Sequence, residues 1–161
     1  MKICVYPGSF DPVSNGHLNI IERIAQSFDE VYVLISLNPN KKYTFTDEER
    51  LYMMKKVTSH LKNVHCELSE KLMINYAKEK NAKIIIRGLR NISDYDDEMT
   101  RFQFNRTINE NIDTFFLFPT MNNLFLSSSA IKELIIFDAD VSEYLPKKIL
   151  EFAVKIIKER K

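Results

Sequence analysis

Ser14-Asn15-Gly16-His17 ends a turn-rich segment, Tyr6 to His17 (YPGSFDPVSNGH), that joins a short apolar run to a helical pattern. Where such a helix begins, backbone N–H groups are unpaired and the dipole is positive, so an anion is favoured there. A histidine beside that point can donate a hydrogen bond to a phosphate. A plainer role also fits, with Ser14 or Asn15 as a helix cap and His17 as a surface side chain. A second segment, Ser127-Ser128-Ser129-Ala130-Ile131-Lys132-Glu133, places three hydroxyls and three N–H groups at a helix start, with a lysine close behind. That is a cradle suited to the β- and γ-phosphates of a nucleotide, or else an ordinary serine cap. The third segment, Ile86-Arg87-Gly88-Leu89-Arg90, sets two arginines around a glycine. Their forked donors could grip phosphates. Lys41 and Lys42 follow another apolar run and are similar candidates. Solvation alone would also account for these charges.

Something must bring these segments together, and the spacing of apolar residues suggests what. Short apolar runs occur at Ile3–Tyr6, Val31–Ile35, Val64–Leu68 (the weakest), Ile84–Ile86 and Phe115–Phe118. All but the third lack polar alternation, as strands buried on both faces of a parallel sheet do. Between them apolar residues recur at helical spacing, as in Leu18, Ile21, Ile24 and Phe28, and in Leu51, Met54, Val57 and Leu61. Thr46-Asp47-Glu48-Glu49 reads as a capping box. Ser93 precedes an acidic first turn, and Pro146 opens a last amphipathic helix. The alternation predicts an α/β fold, a doubly wound five-stranded parallel sheet with helices on both faces. Ligands bind such sheets beyond the carboxyl ends of the strands, at the switch point. The three glycines, Gly8, Gly16 and Gly88, all fall in loops after the first and fourth runs.

Composition narrows the field. The chain has 161 residues, 45% of them apolar, which suits one α/β domain with an ordinary core. Lys plus Arg is 23 and Asp plus Glu is 22, so a general nucleic-acid binder is disfavoured. Cys4 and Cys66 are widely spaced, which suits a reducing compartment. No apolar run is long enough to span a membrane or act as a signal peptide, so a cytoplasmic protein is expected. No P-loop string, G-x-G-x-x-G, H-E-x-x-H or Cys/His cluster is present, which disfavours a P-loop enzyme, a dinucleotide oxidoreductase and a zinc site.

Together the strings YPGSFDPVSNGH (Tyr6–His17), RGLR (Arg87–Arg90) and LSSSAIKE (Leu126–Glu133), supported by Phe45-Thr46-x-x-Glu49-Arg50, resemble bacterial phosphopantetheine adenylyltransferases. These belong to a nucleotidyltransferase superfamily with an H-x-G-H-like signature. The resemblance runs essentially end to end. It implies one Rossmann-like nucleotidyltransferase domain over residues 1–161. It also implies transfer of AMP from ATP to 4′-phosphopantetheine, with Mg2+, in a homohexamer. Carried over residue by residue, His17 and Lys41 are catalytic, with His17 stabilising the transition state at the α-phosphate. Ser9, Phe10, His17, Gly88, Leu89, Arg90, Glu98 and the run Asn123, Leu124, Phe125, Leu126, Ser127, Ser128 and Ser129 bind ATP. Ser9, Lys41, Met73 and Arg87 bind the acceptor. No residue is assigned to the metal. The sequence departs from the family at Ser14, where threonine or histidine is common, and at Asn123 and Leu124, where a bulky aromatic residue is common.

An acceptor that carries an ionised phosphate needs no general base, so the expected chemistry is positioning and electrostatic stabilisation without a covalent intermediate. Two alternatives stand beside it. One is a related transferase acting on nicotinamide mononucleotide or a sugar or polyol phosphate. The other is a nucleotide-binding sensor without turnover.

Overall fold

The computed structural model describes residues 1–160. Five strands, β1 (Ile3–Gly8), β2 (Glu30–Ser36), β3 (Val64–Ser69), β4 (Ile84–Gly88) and β5 (Asp113–Leu117), form one sheet in the order β3-β2-β1-β4-β5. Every pairing is parallel. The helices are α1 (Asn15–Ser27), α2 (Asp47–Thr58), α3 (Met73–Glu79), α4 (Ile92–Ile108), α5 (Ser128–Ile136) and α6 (Leu150–Glu159). The expected Rossmann-like doubly wound sheet is what forms.

The pleat divides the core in two. Cys4, Tyr6, Val31, Val33, Ile35 and Ile86 point to one face, where α1, α2, α5 and α6 cover them with Ile20, Ile24, Met53, Met54, Ile131 and Ile157. Val5, Leu34 and Ile85 point to the other, against Ile74, Tyr76 and Ala77 of α3. Successive residues of β1, β2 and β4 are therefore buried on opposite faces, and this is why those runs carry no polar alternation. The edge strands are different: β3 and β5 have no fully buried residue.

Local chemistry sets the helix starts. Thr46 caps α2, with Thr46 Oγ1 accepting from Glu49 N (3.2 Å) while Glu49 Oε2 accepts from Thr46 N (2.8 Å). The predicted capping box is thus present. α4 starts earlier than the acidic cluster suggested, because Asn91 and not Ser93 supplies the cap, its Oδ1 accepting from Asp94 N at 2.9 Å. Pro146 opens a short 3-10 turn, Lys147–Ile149, and α6 proper begins at Leu150. β5 begins at Asp113, before the apolar run, where Asp113 N reaches Lys83 O.

Candidate active site

Strand order reverses between β1 and β4, so the loops leaving them diverge. They open a cavity of about 460 Å3 at the carboxyl edge of the sheet. Of the residues singled out in the sequence, Ser9, Phe10, His17, Lys41, Arg87, Gly88, Arg90, Glu98, Asn123, Leu126, Ser127, Ser128 and Ser129 line this one cavity. The topology thus gathers segments more than a hundred residues apart.

His17 sits at the third position of α1, and its ring is part of the helix cap. Ser14 N donates to His17 Nδ1 at 3.0 Å, and Ser14 Oγ accepts from His17 N. Ser14 is thus the cap that the segment offered, and His17 completes it instead of standing free on the surface. With Nδ1 acting as acceptor, the neutral ring carries its proton on Nε2. Burial, and after it the Arg90 charge, pushes the His17 pKa down from 6.5 to about 4. The ring is thus a neutral donor at physiological pH. The edge of Phe10 holds it from the side, with ring centroids 5.1 Å apart at 80°. Gly8 is required beneath Phe10, since a Cβ there would stand 2.7 Å from the Phe10 ring. Gly16 lets α1 approach the turn at Asn123, whose carbonyl oxygen would lie 3.3 Å from an added Cβ.

The two arginines expected to present open forks do not. Arg87 gives Nε and Nη2 to Glu98, at 2.7 and 2.5 Å, and Nη1 to the Pro7 carbonyl at 2.8 Å. Arg90 gives Nε and Nη2 to Asp94, both at 2.9 Å. Each guanidinium at the sheet edge finds a carboxylate in the first two turns of α4, which removes much of its cost of desolvation. Glu98 is the one buried residue of α4. Burial pushes its carboxyl up, but the hydrogen bonds and charge of Arg87, with Arg101, outweigh this and hold it below the ordinary value. Asp94 is lowered likewise, the Arg90 bonds outweighing burial. Lys41 and Lys42 are exposed at the cavity wall and make no ion pair among the described residues.

The serine run divides its labour. Ser127 caps α5, its Oγ accepting from Ala130 N at 3.1 Å. Ser128 Oγ donates to the Pro12 carbonyl at 2.8 Å and so docks α5 onto the first motif. Ser129 lines the cavity with an exposed hydroxyl. Four predicted positions lie outside the main wall. Leu89 is buried in the core, 3% exposed. Leu124 and Phe125 line an adjoining recess with Arg90, Asn91, Met121 and Ser127. Met73 starts α3 and packs against the core face of Val5 and Leu34, away from the cavity wall.

Sequence reasoning gave no role to Asp11 or Arg50. Asp11 is buried, accepts from Thr44 N and Phe45 N, and pairs with Lys132 Nζ at 2.8 Å. It therefore ties the first motif to both the lysine-bearing loop and α5. Arg50 is fully buried behind the same loops. Both lay within strings already picked out, and for Arg50 the available signal was its helical spacing from the apolar Met53, Met54 and Val57.

Matches to known proteins agree with this geometry. The profile of the cytidylyltransferase-like family matches residues 5–134. The phosphopantetheine adenylyltransferase of Nautilia profundicola is 42% identical, covering 91% of this chain and 96% of its own. That of Clostridium novyi is 42% identical over 94% of each chain. That of Heliobacterium modesticaldum is 42% identical over 93% of this chain and 89% of its own. A solved protein from Vibrio parahaemolyticus, assigned as a nicotinate-nucleotide adenylyltransferase, superposes with a TM-score of 0.69. It is 19% identical, covers 99% of this chain and 97% of its own, and shows likeness of fold alone.

Proposed function

We infer the activity from family membership: the chain belongs to the cytidylyltransferase-like family and, within it, to the phosphopantetheine adenylyltransferases. It transfers AMP from ATP to the phosphate of 4′-phosphopantetheine, giving dephospho-coenzyme A and pyrophosphate. We propose that the cavity at the β1–β4 switch point is where this happens, and that residues 1–161 act as one catalytic unit.

In the reaction an oxygen of the acceptor phosphate forms a bond to the α-phosphorus, and the bond from that phosphorus to the bridging oxygen of pyrophosphate breaks. The nucleophile is already ionised, so no side chain has to remove a proton. The protein must hold two anions together and meet the charge that gathers on the α-phosphoryl oxygens. His17 Nε2–H supplies a donor whose orientation is set before substrate arrives, because the capping box holds the opposite side of the ring. That preorganised donor is the observation that carries the mechanism. A neutral donor also leaves the site's positive charge to Lys41 and Lys42, which reach in from the loop after β2. The first turn of α5, with Ser129 and its free N–H groups, suits the β- and γ-phosphates. Arg87, held by Glu98, and Lys41 suit the acceptor.

No cluster of three or more His, Cys, Asp or Glu side chains among the described residues could hold a metal ion. Of the cavity carboxylates, Asp11, Asp94 and Glu98 are each already paired with a lysine or arginine, which leaves the exposed Asp97 as a lone carboxylate without an ion pair among the described residues. This donor set fits a divalent cation, Mg2+ in our proposal, that arrives on the ATP phosphates and offsets their charge. No helix among the described residues is long and apolar enough to cross a membrane. We take the protein to act in the cytoplasm and to assemble as a homohexamer. The assembly is supported by apolar side chains left exposed on α4 and beside β5, among them Phe104, Ile108 and Phe118.

The deciding experiment is pyrophosphate release from ATP and Mg2+ with 4′-phosphopantetheine, nicotinamide mononucleotide or glycerol 3-phosphate as acceptor. Release that needs phosphopantetheine is expected. Release with another acceptor alone would overturn the acceptor assignment, and none at all would favour a nucleotide sensor.

A further inference from the structure

We infer that Arg50 is a positioning residue for the transfer: it fixes the Ser9–Phe10 peptide so that the Phe10 N–H faces the nucleotide phosphates. The inference rests on the function proposed above. It starts from a side chain that stability alone does not explain. Arg50 is 0% exposed and lies outside the cavity wall. Its Nη1 donates to the Ser9 carbonyl at 2.8 Å and lies 3.4 Å from the Ser36 carbonyl, at the end of β2. Its Nη2 meets Asp47 Oδ1 at 2.5 Å. Its guanidinium carbon stands 3.9 Å from the centre of the Tyr43 ring. One planar group therefore joins the loop after β1, the end of β2, the first turn of α2 and the loop that carries Lys41. Its Nε is buried and has no hydrogen-bond partner among the described residues. An aliphatic side chain of similar volume would avoid that unpaired donor and the burial of a charge. What it could not do is hold three separate oxygens in one plane.

The Ser9 carbonyl is the contact with consequences. The only cis peptide among the described residues is Asp11–Pro12, so the Ser9–Phe10 peptide is trans. In a trans peptide the C=O and N–H point in opposite directions. Drawing the Ser9 oxygen back to Arg50, behind the loop, turns the Phe10 N–H forward, to the side lined by Ser9, Phe10 and His17. Phe10 is 2% exposed, yet its N–H has no partner among the described residues. Its φ is +50°, a conformation that residues other than glycine seldom adopt unless their surroundings impose it. Buried, unpaired, held in a disfavoured conformation and beside His17, this N–H is a second fixed donor for the same anion, and Arg50 is what aims it.

Arg50→Lys tests this, because a single ammonium keeps the charge but cannot span the same oxygens. With ATP and phosphopantetheine, kcat should fall roughly 10–100-fold while the acceptor KM stays within about threefold. In protein labelled with 15N-phenylalanine, ATP should move the Phe10 amide resonance in the wild type and no longer do so in Arg50→Lys. Asp47→Asn is the structural control. It breaks the Nη2 ion pair but leaves the Ser9 contact, so it should lower the melting temperature with kcat within about twofold. Wild-type kcat and a wild-type Phe10 shift in folded Arg50→Lys would overturn the inference. So would a kcat loss that Asp47→Asn reproduces, or a Phe10 amide indifferent to ATP in the wild type. If the wild-type protein turns over no phosphopantetheine, the reaction assignment fails, and the ATP-induced Phe10 shift still decides the role of Arg50.

Discussion

The two sides of the cavity are built differently. On the side of β1 and β2, polar groups are buried and bonded to one another: Asp11 to Lys132 and two backbone amides, Arg50 to two carbonyls and Asp47, and His17 to Ser14. On the side of β4 and β5, α4 buries one residue of seventeen, Glu98, and leaves Phe104 65% exposed. One side resembles a finished protein interior. The other has Arg87, Arg90 and Arg101 paired with carboxylates but its apolar groups uncovered. In the proposed mechanism a donor for the transition state is fixed before the substrate arrives, and the groups proposed for it lie on the first side. In the proposed assembly the second side is the surface left for a neighbouring subunit, with Arg87 and Arg90 held on it by carboxylates.

The sharpest way to break this contrast is His17→Ala. If the finished side supplies the fixed donor, kcat should fall on the order of 10²–10³-fold. The capping box would also be lost, for a stability cost of about 1 kcal/mol. Steady-state kinetics and thermal melting separate the two effects. A variant that melts earlier but turns over normally would reduce His17 to a cap.

Glu98→Gln probes the other side. The neutral amide keeps the shape but removes the charge that holds Arg87 and Arg101. Arg87 would keep its bond to Pro7 O and one bond to the amide oxygen, losing the bidentate ion pair. The KM for phosphopantetheine should rise about tenfold and stability should fall by about 2 kcal/mol, the usual scale for a hydrogen bond to a charged group. If ATP affinity fell instead, Glu98 would act on the nucleotide side, as the family resemblance implied.

Phe104→Glu tests whether the apolar flank is a subunit contact. A charge on that face should drop the mass measured by light scattering from six times the 18.9 kDa chain toward smaller species. The His17 side of the cavity should be untouched, with kcat per chain within about threefold. An unchanged mass would place the interface elsewhere.

How much of this was legible in the sequence depended on how local the cause was. Thr46 and Glu49 form their box within four residues, and the alternation of runs and stripes gave the sheet, because both rest on short-range periodicity. The order β3-β2-β1-β4-β5, which the sequence reading did not specify, puts Ser9, His17, Arg87 and Ser129 into one cavity. What stayed hidden was pairing. No spacing rule reveals that Arg87 finds Glu98, or that Asp11 meets Lys132 across 121 positions. The forks of Arg87 and Arg90 were therefore expected to be open when both are engaged. Ser127, Ser128 and Ser129 read as three equivalent hydroxyls, and only the docking of α5 onto Pro12 sorts them into a cap, a tether and a cavity-facing group.

The smallest effect concerns protons. His17 titrates at about 4 in the folded protein against 6.5 as the ordinary value, since burial and then the Arg90 charge disfavour the imidazolium. Between those two values the unfolded chain binds a proton that the native state refuses, so stability falls as pH is lowered. The contribution is whole above pH 6.5 and is lost on the way down to 4, at up to about 1 kcal/mol per pH unit. Asp94 and Glu98 are lowered from carboxylate values already near or below 4.5, so their losses begin in more acid solution. The windows are separable. His17→Gln removes the titration but keeps a side chain that can complete a capping box. Melting temperatures measured from pH 7 to pH 4.5 should fall more steeply in the wild type than in His17→Gln. Parallel curves would mean that the ring is not held neutral by the fold, and the distinction between a finished and an unfinished side of the cavity would lose its best-defined member.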